Sequence, residues 1–270
     1  MATAPQIAPK DFSCLRYAVE GGIALATLNR PERRNALNPR AYAEVEAAFR
    51  AATADDAVRC LVVTGADPAF CSGEDVKEMM TGEKRKPSAT PVKPQATPAA
   101  MAALECTKPV IAAVNGAAMG WGMELALFAD MRLASERASF AELFIKRGLI
   151  SDVGGLLRLP AIVGPAKAAE LLFTGDPVDA KEALRIGLVS EVVPHGELLP
   201  RAMALAARIA ANPPLALTAM KEGLRKTSYG DPREIGAWAI EQIYRLFDTE
   251  DHREGVKSFL EKRAPVFKGR

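Results

Sequence analysis

The chain is poor in the residues from which metal, disulfide and redox sites are usually built. Its 270 residues include two histidines, His195 and His252, and four cysteines, Cys14, Cys60, Cys71 and Cys106. The cysteines show neither paired nor C-x-x-C spacing, which argues against a disulfide framework and against a Cys/His zinc site. No metal is therefore expected. Aromatic residues make up 6%, and neither sign of charge is in excess, with 35 Lys and Arg against 33 Asp and Glu. A nucleic-acid surface needs a longer basic stripe, usually with interleaved aromatics, than the single cluster Lys84-Arg85-Lys86. Nucleic acid is accordingly not an expected partner. No apolar run is long enough to span a bilayer, and the N-terminal MATAPQIAPKDF lacks the apolar segment of a signal peptide. A soluble chain of the reducing cytoplasm, with no membrane partner, is the expectation.

Apolar residues are plentiful at 49%, enough for one large core with a smaller appendage. Residues 23–29 (IALATLN), 59–64 (RCLVVT) and 109–115 (PVIAAVN) read as strands, 131–134 and 188–193 as shorter ones, and 41–54 as an amphipathic helix. Strands apolar on both faces and separated by helices predict a largely parallel sheet covered on both sides. Residues 82–98, rich in Pro, Lys, Ser and Thr, read as a mobile loop. From about Val193 onward the strand pattern stops, and helices are expected over 198–211, 214–225, 232–247 and 253–263.

Two segments share one form, an apolar strand, then glycine-rich backbone, then a helix: 61–76 (LVVTGADPAFCSGEDV) and 110–127 (VIAAVNGAAMGWGMELAL). Glycines at such a turn let a ligand approach the main chain, and the helix start presents unpaired N–H groups. Close helix–strand packing would use the same glycines. Leu125 stands where G-x-G-x-x-G requires its third glycine, so a dinucleotide loop is excluded. Glu124 lies inside the apolar run MELALF, where burial raises a carboxyl's pKa towards the range useful for proton transfer. A structural carboxylate tied to Arg or backbone is the alternative. Asp152, in LISDVGG, is read from pattern alone as a helix cap.

Asn29-Arg30-Pro31 with Asn35-Ala36-Leu37, residues 69–79 (AFCSGEDVKEM), 108–124 (KPVIAAVNGAAMGWGME) and 172–187 (LFTGDPVDAKEALRIG) resemble the enoyl-CoA hydratase/isomerase (crotonase) family, in family order from residue 12 to the C-terminus. The resemblance implies an α/β fold with a repeated ββα core over residues 1–195 and a helical C-terminal oligomerisation region over 196–270. It implies a homotrimer or a hexamer made as a dimer of trimers. The partner would be an acyl-CoA substrate, with coenzyme A part of that substrate and no separate cofactor. The backbone N–H groups of Glu74 and Trp121 would form the oxyanion hole for the thioester. The backbone of Ala36 and Leu37 would line the adenine pocket, and Lys77 and Lys262 would contact phosphate.

The departures bear on the reaction. Glu124 matches the first of the two glutamates that hold water in a hydratase, but the second falls on Phe144. Glu142 is two residues away and is expected to point elsewhere unless the segment shifts. Trp121 replaces a usual glycine and should narrow the acyl pocket that Phe144 also lines. Asp152 matches an aspartate of dienoyl-CoA isomerases, aryl-CoA dehalogenases and the isomerases of phenylacetyl-CoA breakdown. The resemblance thus implies a lyase or isomerase that forms a thioester enolate and moves protons with the catalytic residues Glu124 and Asp152. Hydration and double-bond isomerisation both remain open. The alternatives are a hydrolase or dehalogenase with Asp152 as nucleophile, and an acyl-CoA binder without activity.

Overall fold

The computed structural model describes residues 7–79, 97–227, 241, 245–246 and 248–270. Strand β1 (Leu15–Glu20) turns through Gly21 and Gly22, both at positive φ, into antiparallel β2 (Ile23–Leu28). Helix α1 (Pro39–Ala54) follows, capped by the Asn38 side chain, which accepts from the Ala41 N–H at 2.9 Å. After it come β3 (Cys60–Gly65), β4 (Ala69–Cys71), the short α2 (Val76–Met79) and α3 (Pro98–Glu105). The second strand-to-helix unit is β5 (Val110–Val114), β6 (Ala117–Met119) and α4 (Trp121–Phe128). Beyond it lie β7 (Met131–Ser135), β8 (Ser139–Ala141), α5 (Leu159–Val163), α6 (Pro165–Thr174), β9 (Val178–Asp179), α7 (Ala180–Arg185) and β10 (Glu191–Val193). Helices α8 (Leu198–Ala210), α9 (Pro214–Thr227) and α10 (Glu250–Glu261) follow, and short helical turns, among them Gly154–Arg158 just before α5, join the elements.

The strands form two sheets, one in the order β1-β2-β3-β5-β7-β10 and one in the order β4-β6-β8-β9. In each unit a long strand enters the first sheet, a three-residue strand enters the second, and a helix follows. β2, β3, β5, β7 and β10 run parallel, as do β4, β6 and β8. Period-2 alternation sorts the central strands between two cores. Leu61, Val63, Val110, Ala112 and Val114 pack with residues of α1, α3 and α4, whereas Cys60, Val62, Ile111, Ala113 and Leu133 meet Leu198, Ala202, Ala206 and Ala210 of α8. The four-residue spacing puts that α8 row on one face, and its alanines allow close approach. Each fully buried Leu or Val contributes roughly 1.5–3 kcal/mol here.

The parallel sheet covered on both faces is as read from sequence, but the second sheet was not anticipated. Its strands have two or three residues, too short for periodicity to register. β1 was also missed, because only Leu15 of its six residues is buried and no apolar alternation results. The strand expected over 188–193 is confined to Glu191–Val193, and the helix expected over 253–263 runs from Glu250 to Glu261. Of the loop expected over 82–98, residues 82–96 lie outside the described residues, and Pro98 instead starts α3. Most of the helix expected over 232–247 likewise lies outside them. Buried Lys221 of α9 ties that helix to the core, with Nζ 2.8 Å from Asp130 Oδ2 and 2.6 Å from the Lys108 carbonyl. Among the described residues no helix is long and apolar enough to cross a membrane, and no group of three His, Cys, Asp or Glu is arranged to hold a metal ion.

Candidate active site

The site is assembled from backbone first. Asn35, buried and in left-handed conformation at φ 56°, donates through Nδ2 to the carbonyls of Ala66 and Ala69, both at 2.7 Å. Each such bond is worth about 1 kcal/mol net, and together they hold the 29–37 loop against the turn between β3 and β4. Leu37 is thereby set beside Glu74 in an isolated parallel bridge. Within that bridge the Leu37 N–H donates to the Gly73 carbonyl at 2.8 Å, and the Leu37 carbonyl accepts from the Asp75 N–H at 2.9 Å. A parallel bridge of this form turns the N–H of the intervening Glu74 to the opposite side. Trp121 is the first residue of α4, and its N–H is one of the four that a helix start leaves without an internal acceptor. A Cβ placed on Gly73 would lie 3.5 Å from the Trp121 nitrogen and 2.6 Å from the Met119 oxygen, so the two glycine-rich segments are in close apposition. With φ at +87°, Gly73 also has the backbone that glycine adopts most readily.

Helix α4 is buried on every side, and Glu124 within it is 0% exposed. Its Oε1 accepts from the Asp152 N–H at 2.6 Å and the Gly155 N–H at 3.3 Å, and Oε2 accepts from the Gly154 N–H at 3.3 Å. The carboxyl thus caps the helical segment that begins after Asp152. Three backbone donors favour its ionised form, yet burial first and the charge of Asp152 second push it up to about 7. Of the two readings of Glu124 made from sequence, the geometry shows the carboxyl tied to backbone.

Asp152 accepts from Thr97 Oγ1 at 2.6 Å through Oδ2 and from the Val153 N–H at 2.8 Å through Oδ1. Asp152 lines a cavity of about 610 Å³ whose wall also includes Tyr42, Glu74, Thr97, Trp121, Phe144 and Ser151. Four of the residues singled out from sequence, Glu74, Trp121, Phe144 and Asp152, are thus brought to one cavity, with Glu124 immediately beneath. Trp121 narrows it as a ring stacked edge-on against Tyr42, at 4.8 Å between centroids. The rim of Phe144 reaches to within 4 Å of where a Cβ on Gly120 would stand.

Other residues lie apart from the cavity wall. Ala36 and Leu37 are buried behind Glu74, Lys77 is exposed on α2, and Lys262 is exposed just after α10 at φ 55°. Sequence reasoning missed Tyr42, Thr97 and Ser151, and it expected Glu142 to point elsewhere. Glu142 is not among the residues lining this cavity; it is buried at 1% exposure beside the Ser151 hydroxyl, close enough to Glu124 that burial first and the Glu124 charge second push it up to about 8. The turn at Gly154-Gly155 accounts for this: Cβ atoms there would meet Glu124 at 2.8 Å and Glu142 at 3.3 Å, so both carboxyls pack on one short backbone.

This architecture recurs in characterised sequences. The family model described as Enoyl-CoA hydratase/isomerase matches residues 18–270. A 2,3-dehydroadipyl-CoA hydratase from Escherichia coli is 38% identical, with 92% of this chain and 96% of that protein covered. A crotonyl-CoA hydratase from Syntrophomonas wolfei is 37% identical, over 92% of this chain and 95% of that protein. The solved structure of an enoyl-CoA hydratase from Bacillus anthracis superposes with a TM-score of 0.86 at 30% identity, covering 96% of this chain and all of that one. A family match over almost the whole chain, with the two-sheet ββα architecture beneath it, makes this chain an enzyme that belongs to the enoyl-CoA hydratase/isomerase family.

Proposed function

We propose that the enzyme binds an enoyl-CoA thioester, stabilises its enolate with the backbone N–H groups of Glu74 and Trp121, and moves protons with Asp152 and Glu124. One observation carries this reading: an acid lining the cavity, Asp152, whose own N–H is held at 2.6 Å by the buried carboxylate of Glu124. The pair fixes a proton acceptor at the cavity wall and a second carboxyl, shifted to near neutrality, behind it. Two preorganised N–H donors aimed at one developing oxyanion are each worth about 3–4 kcal/mol of barrier. Coenzyme A enters as part of the substrate, and the chemistry requires no further cofactor. Lys77 and Lys262 are the candidate phosphate contacts, beside the Ala36–Leu37 backbone for adenine.

Within this reading, double-bond migration is favoured over hydration. Hydration requires two carboxylates gripping one water, and Phe144 gives the wall an apolar ring where the second would stand. Migration needs one acceptor that removes a proton from one carbon and a donor that returns one to another. Hydration is the second reading, favoured by the hydratase names of the relatives from Escherichia coli and Syntrophomonas wolfei. A panel of enoyl-CoA substrates followed by mass separates these outcomes. Migration leaves mass unchanged, hydration adds one water, and an ester trapped on Asp152 after rapid quenching would overturn both.

A further inference from the structure

Beneath the cavity floor is a carboxyl that this chemistry leaves unused. Glu142 follows β8; its Oε2 is 3.0 Å from Ser151 Oγ, and its Oε1 has no hydrogen-bond partner among the described residues. Gly155 closes over both side chains, since a Cβ there would lie 2.6 Å from Ser151 Cβ and 3.3 Å from Glu142 Cδ. The charged group set against Glu142 is the Glu124 carboxylate from α4, and Asp152 in turn acts on Glu124. A buried carboxylate with one bare oxygen and an anion as its neighbour is costly, and protonation relieves both penalties. A hydroxyl can donate and accept at once. Ser151 carries such a group: its hydroxyl lies 3.0 Å from Glu142 Oε2, and the residue is part of the cavity wall.

We propose that Glu142 holds a proton in the resting enzyme and that Ser151 relays it into the acyl cavity. The inference rests on the enolate reading above. As Asp152 takes a proton from one substrate carbon, the electron pair of that C–H bond moves into the thioester enolate. The enolate then takes the Ser151 hydroxyl proton at a second carbon, while Ser151 takes the Glu142 proton. One C–H bond forms, the Glu142 O–H bond breaks, Ser151 ends unchanged, and Glu142 is left as a carboxylate. Exchange with solvent returns a proton to Glu142 and removes one from Asp152. Glu142 is thus a positioning residue that acts through Ser151, and the delivered proton is not the one abstracted.

The origin of that proton is measurable. In deuterated water the native enzyme is expected to give product carrying deuterium at the newly protonated carbon. Ser151→Ala and Glu142→Gln should each slow turnover by about tenfold or more and cut deuterium incorporation, because the abstracted proton then returns from Asp152 itself. The double variant should be no slower than either single one. Unchanged incorporation in both variants, or additive losses, would overturn the relay. Ser151→Ala leaves the Glu142 carboxyl in place and keeps the test open if Glu142→Gln does not fold. An infrared spectrum at pH 7 gives a readout free of turnover: a protonated-carboxyl band, to which Glu124 at about 7 also contributes, that loses its Glu142 component in Glu142→Gln and shifts in Ser151→Ala. A band undiminished in Glu142→Gln overturns the proposal even if no enoyl-CoA is converted, whereas failure of the native protein to bind any acyl-CoA, with the Glu142 component present, counts against the functional reading alone.

Discussion

Asp152 and Phe144 line the same cavity with opposite chemistry, a charge held by Thr97 and an apolar ring packed near Gly120. Asp152→Asn keeps the side-chain shape but removes the proton acceptor, so the main activity should fall roughly 10²–10⁴-fold. Steady-state turnover on the best enoyl-CoA measures this, and a variant as active as the native chain would transfer the acceptor role elsewhere. Phe144→Glu should raise hydration relative to migration by placing a carboxylate where an attacking water would be oriented. The buried acids also govern stability. Glu124 and Glu142 bind protons more tightly when folded, at about 7 and about 8, than the usual 4.5. Their contribution is therefore fully present below pH 4.5 and is lost as pH rises through 7 and 8. Melting temperature should fall from about pH 4.5 to about pH 8 and level off above, and Glu142→Gln should flatten that fall. An identical slope in the variant would show that Glu142 does not contribute to the linkage.

At the scale of elements, the site depends on how closely α4 lies against β4. A Cβ on Gly122 would stand 2.1 Å from the Cys71 carbonyl oxygen, a backbone atom that cannot swing aside. Gly122→Ala should therefore push α4 outward, costing at least about 1–3 kcal/mol as overpacking does, and should lower activity because Trp121 and Glu124 ride on that helix. A melting temperature equal to that of the native chain would contradict this. These glycine contacts explain what was legible in the sequence. The strand–glycine–helix form marked both segments that bring Glu74, Trp121 and Glu124 together, because close approach restricts residue choice at each position. Glu142 was expected to point elsewhere from a two-residue offset along the chain; its burial beside Ser151 and Glu124 is set by the Gly154-Gly155 turn, across the fold, and carried no signal. Thr97 and Tyr42 carried no signal, since each reaches the cavity only through the packing of α3 and α1. The second sheet escaped notice for the same reason: strands of two or three residues are defined by their partners and not by their own pattern.

For the molecule as a whole, the remaining question is what covers its apolar surface. Ile150 is 79% exposed, Phe173 77% and Met220 67%, and they sit on three separate segments: the stretch before Asp152, α6 and α9. The family resemblance implies trimers, often paired into hexamers, and we expect three or six chains by light scattering at micromolar concentration. Melting temperature should then rise with protein concentration, as it does when association stabilises the native state. Ile150 and Leu149 also line the acyl cavity, so assembly that covers Ile150 would close part of the cavity wall as well. Dilution far enough to give monomers should accordingly weaken acyl-CoA binding along with thermal stability. Should the protein be monomeric at micromolar concentration and still bind acyl-CoA tightly, the exposed side chains would need another explanation, and a phosphate contact from Lys262 in the C-terminal region would lose its support.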